Sequence, residues 1–371
     1  MGPRMKVLHV EAGRNLYGGA QQVLYLLQGL QARGVRNVLA CPRGCALASA
    51  AAPFAEVHEM PMWGDLDFLM ALRLGRLMRR VQPDIVHLHS RIGADVMGGI
   101  AARLAGLPVI YSRRQDNPEP RWAVRLKYRL HDRVVAISDG IARLKLEEGL
   151  SPQRLRVVRS VVDPVPYQGP RDPDWLRAQF GLPPGARTLG VVAQLIERKG
   201  HLVLLEALPP LLAEFPDLHE LFFGKGGLEG RLREMIGAGG MARRVQLAGF
   251  RDDLPRILPC LDLLVHPAHR EGLGVSLLQA SAAGVPIVAC RAGGIPEAVR
   301  DGENGLLVPP GDAGALRDAI ARLLRDPVLA RRLGEGGRAL VAREFSLDSM
   351  VEGNLAIYRE MLAEHGVAPR S

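Results

Sequence analysis

The stretch REGLGVSLLQASAAGVPIVACRAGGIPEAV, Arg270 to Val299, decides how this chain is read. An apolar run, LDLLVHP (Leu261–Pro267), precedes it. Within it a lone carboxylate, Glu271, is followed by Gly272 and Gly274. An apolar pattern at helical spacing then runs from Val275 to Ala283, and a short apolar run leads to a second glycine pair. Strand, acid, glycines, helix and strand is the order of a βαβ unit. Glu271 therefore stands at the carboxyl end of a strand, where parallel sheets bind ligands. The glycines let backbone come close to a ligand. The amides of Gly272, Leu273 and Gly274, at the start of a helix, suit an anion such as a diphosphate. Glu271 cannot serve that anion, because like charges repel, but it can accept hydrogen bonds from hydroxyls. An anion cradle beside a hydroxyl acceptor indicates a phosphorylated sugar. The same residues also fit a capping carboxylate in a tight glycine turn.

Outward from this stretch the alternation continues in both directions. MKVLHVEA (Met5–Ala12) reads as a strand, GRNLYGG as a loop and AQQVLYLLQGLQARG as a helix ending at Gly34. PDIVHLHS, PVIYSRR and DRVVAIS are further strands, with ADVMGGIAARLAG a helix between the first two. VVDPVPYQGPRDPD (Val161–Asp174) holds four prolines and reads as a linker. Beyond it come the strands RTLGVVAQL, HELFFGKG and RVQLAGF, with GHLVLLEALPPLLAEF a helix. The last segment, SLDSMVEGNLAIYREMLAEHG, is helical behind a Ser346 cap. Strands alternating with helices imply parallel sheets covered on both faces. The expected architecture is two doubly wound α/β domains, 1–165 and 166–345, facing across a cleft, with 346–371 a helix that crosses back to the first domain.

The 371 residues are 47% apolar and 23% charged, a globular composition. No apolar run is long enough to span a bilayer, and Met1–Val10 shows no signal-like apolar region. The expected location is the cytoplasm. Four cysteines make a disulfide framework unexpected, and Cys41 with Cys45 cannot fill a zinc site. The net charge of +9 is lopsided. Residues 1–165 hold 24 Lys/Arg against 14 Asp/Glu, and the remainder 24 against 25. Such asymmetry suits an anionic partner or a solvated basic surface. Nucleic acid is disfavoured, because aromatics are scarce and no recognition motif appears.

VVAQLIERKG (Val191–Gly200) also sets polar residues behind a strand, and Arg198 and Lys199 offer charge to phosphates. With VAQLIERKG, EGLGVSLLQASAAGVPIVA, GGIPEAV, DGENGLLVPPGD, LYGGAQQVL and PDIVHLHS in this order, the chain resembles retaining glycosyltransferases of family 4, whose fold is GT-B. The resemblance covers most of the chain. It implies a metal-independent hexosyltransferase that keeps the anomeric configuration, uses a nucleotide-sugar donor and needs no cofactor. Lys199 would neutralise the leaving diphosphate, Glu271 would bond the transferred sugar, and Gly272 and Leu273 amides would bind oxygens of either. Gly249 and Phe250 would meet the base, with Gly224 in a loop of the same site. Gly18, Gly19 and Ala20 would form the first domain's phosphate loop, and His89 would line the acceptor side. The cell-envelope members of the family imply a lipid-linked saccharide acceptor of lipopolysaccharide type at the inner membrane face.

This chain departs from the family at three places. Gln279 replaces the second Glu of the pair, which accepts bonds from both ribose hydroxyls. An amide mimics only part of that, at a cost of about 1 kcal/mol or a changed donor. Gln194 stands where the family has an Arg, with Arg198 nearby. Ser112, followed by Arg113 and Arg114, replaces an acceptor-side His. His87 and His89 share one strand face but have no third ligand for a metal in their motif. FGKGGLEG (Phe223–Gly230) imitates a dinucleotide fingerprint without its acid, so a loop at the nucleotide site is the better reading. In RRQDNPEPRWAVRLKYRLHDR (Arg113–Arg133), Arg121, Arg125 and Arg129 align beside Trp122, Leu126 and Leu130. That pattern suits contact with an anionic membrane, or a domain helix with its stripe in the core. Two other functions stay open: a sugar-nucleotide epimerase or isomerase of the same fold, and a non-catalytic sugar-nucleotide-binding module.

Overall fold

Seven strands form a parallel sheet in the first part of the chain: β1 (Lys6–Val10), β2 (Arg36–Pro42), β3 (Glu56–Met60), β4 (Ile85–Leu88), β5 (Val109–Arg113), β6 (Arg133–Ala136) and β7 (Leu155–Val157). Six more form a second: β8 (Arg187–Val192), β9 (Leu218–Phe223), β10 (Val245–Gly249), β11 (Leu263–His266), β12 (Ile287–Cys290) and β13 (Gly305–Val308). The computed structural model describes residues 5–91 and 93–366, so residues 1–4 of the Met1–Val10 stretch lie outside the described residues. The sheet orders are β3-β2-β1-β4-β5-β6-β7 and β10-β9-β8-β11-β12-β13. Each is a Rossmann-like order, and each reverses once, between β1 and β4 and between β8 and β11. Ligands of such sheets bind at the carboxyl ends of the strands flanking the reversal.

The strands are legible because both of their faces are covered. β4, β11 and β12 are buried at every residue, which demands near-continuous apolar runs. In the first unit, Val23 and Leu27 of the helix Gly18–Ala32 pack with Leu39 and Cys41 on one face. On the other, Met70 and Leu74 of the helix Phe68–Val81 pack with Met97, Val124 and Tyr128. In the second unit, Leu204 and Leu208 of the helix His201–Glu214 join Leu232, Leu316 and Ile320 in one core.

The C-terminal helix Leu347–Glu364 belongs to the first unit, which otherwise ends at Ser160. Its Tyr358 hydroxyl meets His87 Nδ1 at 2.7 Å, and Glu360 pairs with Arg133 at 2.9 Å and with Arg156. Arg33 reaches Asp348 at 2.7 Å from the other side.

One local expectation needs correction. Gly18 and Gly19 are not loop residues; the helix begins at Gly18. The proline-rich stretch opens the second unit, which starts at Val161. Val161, Val162 and Tyr167 are buried and the Val162 amide donates to Phe345 O at 3.3 Å, while Val165, Pro166 and residues 168–172 are exposed. All four cysteines are free and buried, and burial raises the Cys290 thiol to about 11. No helix among the described residues is long and apolar enough to cross a membrane.

Candidate functional site

The second unit gathers its polar side chains where the strand order reverses. β8 runs into a turn, Glu197–Lys199, closed by Gly200. Gly200 has φ +71°, and a Cβ there would lie 1.9 Å from Pro267 O. Only glycine lets this turn seat against the end of β11. The seating buries Lys199 and brings its ammonium onto Glu271 Oε2 as an ion pair. His266, the last residue of β11, donates from Nε2 to the same oxygen at 3.1 Å, and the Gly272 amide donates to Oε1 at 3.0 Å. The second glycine pair holds this loop from behind. The Gly294 amide donates to Glu271 O at 3.0 Å, and a Cβ on Gly293 would sit 2.2 Å from that oxygen.

The electrostatics follow from this packing. Burial alone would raise the Glu271 carboxyl, but the His266 bond and the Lys199 charge hold it far below its usual range. Burial lowers His266, so the imidazole is neutral. Because a carboxylate only accepts, Nε2 carries the proton and Nδ1 is left as a buried, unpartnered lone pair. The Gly272 amide expected for an anion is occupied by Glu271 itself. The amides of Leu273 and Gly274, at the start of the helix Val275–Ala283, carry no hydrogen bond among the described residues. Chemically, the cluster offers an ammonium and helix-end amides for an anion, beside an ionised carboxylate for hydroxyls.

The other expected residues of this unit fall around it. Gln194 exposes its side chain, while its carbonyl accepts from His201 Nε2 at 2.9 Å. Arg198 is exposed and leans on Arg270 O at 3.4 Å. Gln279 is half-buried, and its side chain makes no hydrogen bond among the described residues. Gly249, at φ +71°, accepts from the Gly224 amide at 2.8 Å, and Phe250 beside it is half-exposed. Two of the glycines of FGKGGLEG, Gly224 and Gly226, serve packing. A Cβ on Gly224 would lie 1.9 Å from Ala193 O, and one on Gly226 2.3 Å from Leu195 O. They let the β9 loop lie against the β8 loop.

The first unit has its own cluster at the β1–β4 reversal. His9 Nδ1 and His89 Nε2 are 2.9 Å apart, and Arg114 reaches His89 Nδ1 at 3.5 Å. The tautomers follow from the Arg114 end. A guanidinium only donates, so His89 Nδ1 is bare and its proton lies on Nε2, which donates to His9 Nδ1. His9 thus carries its proton on Nε2, a buried atom without a hydrogen-bond partner among the described residues. Burial lowers His9 to about 3 and depresses His87 and His89 as well.

His87 lies between the Ser112 hydroxyl at 2.8 Å and Tyr358. The third imidazole that the His87–His89 motif lacks is therefore supplied by His9 of β1. The three rings offer nitrogens within 4.8 Å of one another, an arrangement able to hold a metal ion among the described residues. Their lone pairs are engaged in hydrogen bonds, and the Arg114 cation stands beside them.

Ser112 lines this cluster through its bond to His87, but Arg113 does not. Successive strand residues face opposite ways, and Arg113 is fully buried with Asn117 at 2.8 Å and Glu119 at 3.4 Å. Arg114 takes its place: a Cβ on Gly19 would lie 3.7 Å from its Cδ, its Nε is buried without a partner, and the Glu11 charge acts on it. Burial raises the Glu11 carboxyl, against a 2.7 Å bond from the Gly13 amide. Gly18, Gly19 and the buried Ala20 open a helix with no capping side chain. His266, His9, Glu11 and Arg114 are the members the sequence reading missed. His266 carried the signal that singled out His89, a histidine at a strand's end.

Known proteins divide in the same way. The family model described as Glycosyltransferase Family 4 matches residues 17–165, and that described as glycosyl transferases group 1 matches residues 174–340. The lipopolysaccharide core biosynthesis glycosyltransferase LpsE of Rhizobium meliloti is 28% identical, over 95% of this chain and 98% of its own. The D-inositol 3-phosphate glycosyltransferase of Acidothermus cellulolyticus is 32% identical, over 77% of this chain and 69% of its own. The crystal structure of Anabaena Alr3699/HepE in complex with UDP and glucose has a TM-score of 0.83 at 22% identity, covering 96% of this chain and 100% of that one.

Proposed function

Since the chain belongs to glycosyltransferase family 4, with the GT-B fold, we propose that it moves a hexose from a nucleoside-diphosphate sugar to a saccharide hydroxyl, retaining anomeric configuration and using no metal ion. The observation that carries this reading is the buried Lys199–Glu271–His266 cluster at the β8–β11 reversal, with unpaired Leu273 and Gly274 amides beside it.

Lys199 is paired with Glu271 in the absence of ligand. An incoming diphosphate, with more negative charge, draws the ammonium away and frees the carboxylate for a sugar hydroxyl. The bond from C1 to the diphosphate oxygen breaks with its electron pair leaving on the diphosphate. Lys199 and the two amides stabilise that charge where a divalent ion would otherwise do so. C1 bonds to the acceptor oxygen, whose proton passes to the departing phosphate. His266 keeps Glu271 oriented and ionised throughout. The UDP bound to Alr3699/HepE supports a nucleoside-diphosphate donor. The similarity to LpsE supports a lipid-linked acceptor in cell-envelope glycan synthesis.

The test is incubation with UDP-, GDP- and ADP-sugars, with and without saccharide acceptors, read by mass spectrometry in a chelator. Nucleoside diphosphate released only with acceptor is the expected result. A rearranged donor would mean an epimerase, and binding without turnover a binding module.

A further inference from the structure

We propose that the saccharide acceptor carries an anionic group, a phosphate or a carboxylate, and that Arg114 binds that group at the carboxyl end of the first sheet. The inference rests on the sugar-transfer reading and narrows its acceptor to one chemical class.

Arg114 is a cation without a counter-ion. It follows the last residue of β5 and is half-buried, and it forms no ion pair among the described residues. Its Nε is buried without a partner, and its Nη2 makes only the 3.5 Å contact with the bare Nδ1 of His89. The carboxylate whose charge acts on it is Glu11. Burial pushes that carboxyl up toward its neutral form, and its Oε1 already accepts from the Gly13 amide at 2.7 Å. Burial also keeps the imidazoles of His87 and His89 neutral. Drawing a guanidinium out of water without a counter-charge is costly, and an anionic ligand removes that cost.

The segment that carries Arg114 is fixed from behind. Arg113 reaches Asn117 O at 2.9 Å and Asn117 Oδ1 at 2.8 Å, and Lys145 reaches the same carbonyl at 3.2 Å. A guanidinium on so restrained a backbone is preorganised, which lowers the entropic cost of binding. The other acids of this region are already engaged. Glu119 pairs with Lys127 at 2.9 Å and with Lys145 at 3.1 Å. Asp116 has a partner of its own, and Asp95 pairs with Lys127 at 2.7 Å.

The surroundings favour an anion as well. Arg14 and Arg91 stand on the loops that follow β1 and β4, the strands flanking the reversal, and both are exposed without an ion pair among the described residues. Residues 11–17 hold Glu11 as their one acid, and residues 89–93 hold none. This is the end of the sheet at which ligands bind. The planar fork of a guanidinium matches two oxygens of a phosphate or carboxylate, whereas a neutral sugar would leave its charge unpaired. The reaction's other anion, the donor's diphosphate, has Lys199 and helix-end amides of the second unit to hold it.

The experiment titrates the full chain with glucose 6-phosphate, glucuronate and glucose, read by ligand-observed NMR, and with UDP in a calorimeter. Four proteins are compared: the unaltered chain, R114Q, R114K and K199A. Melting curves establish that each is folded. If R114Q is not, R114K decides, since it keeps the charge and loses the fork. At least one of the two charged sugars is expected to bind about tenfold or more tighter than glucose. R114Q should bring it to the level of glucose, with R114K between, and K199A should leave its binding unchanged. UDP affinity should be unaltered in R114Q. Charged sugars that bind no tighter than glucose, or equally well to R114Q, R114K and the unaltered chain, would overturn the proposal. So would loss of their binding in K199A, because the second unit would then hold them. A loss of UDP affinity in R114Q as large as that for the charged sugar would also overturn it, because the guanidinium would then serve the donor. Absence of UDP binding, with the R114Q effect on charged sugars intact, would count against the transfer reading and support the anion site.

Discussion

Glu271 is ionised because Lys199 and His266 meet on one of its oxygens, and each of those side chains has a separable consequence. Lys199→Ala should lower turnover by about 10²–10³-fold, the scale for losing one charge partner of a transition state; unchanged turnover would remove it from the mechanism. Gln279→Glu restores a second acceptor oxygen and should tighten nucleotide binding by about 1 kcal/mol in calorimetry. Weaker or equal affinity would mean that this side chain does not face ribose. A third residue affects stability alone. Glu220 is fully buried on β9 with both carboxyl oxygens unpartnered, and burial raises its pKa well above the usual value. Its protonated form is the one the fold holds. The contribution is present below the ordinary Glu range near 4.3 and is lost as pH rises through the folded-state value. Glu220→Met should therefore raise stability at neutral pH by about 1–3 kcal/mol and flatten that decline, as read by thermal melts across pH. At this scale the sequence disclosed Glu271 and Lys199, which sit in motifs. It hid Glu11 and its meeting with Arg114, which comes about only because β1 and β5 end on the same side of a folded sheet.

The turns between elements hold the cluster together, and their glycines are specific. Gly200→Ala would place a methyl 1.9 Å from Pro267 O at a left-handed φ. The variant should lose about 1–3 kcal/mol of stability and much of its turnover while Lys199 is chemically intact. Unchanged melting and kcat would show that the turn tolerates the shift. Elements were legible where periodicity was unambiguous: the helix Val275–Ala283 was expected at those bounds, and the buried strands stood out as apolar runs. The proline-rich segment at Val161–Asp174 was legible as a break in regular structure, whereas the burial of Val161, Val162 and Tyr167 within it leaves no periodic mark. The polarity of the helix Arg121–Lys127 was left open by its pattern, and the exposure of Trp122 and Leu126 shows that they are not part of the core.

Both units bury histidines that burial holds neutral. The first buries His9, His87 and His89 as neutral rings, with His9 lowered to about 3 against about 6.5 unfolded. Its stability is thus fully present above pH 6.5 and falls as pH drops from there toward 3. Calorimetric scans between pH 8 and pH 5 should show the first unit's transition moving down with acid, and His9→Gln should reduce that movement. Donor nucleotide should instead raise the transition of the second unit. The two-unit plan and its Rossmann-like sheets were readable from strand–helix alternation, whereas the histidine cluster, assembled from β1 and the end of β4, was not. The central claim is that Lys199 and helix-end amides, without a metal ion, hold the donor's diphosphate. Titration calorimetry of UDP, GDP and ADP into the chain in excess chelator tests it most directly. The account predicts saturable binding of one of the three, weakened about tenfold or more in Lys199→Ala. No heat with any of them, or equal affinity in the two proteins, would contradict it.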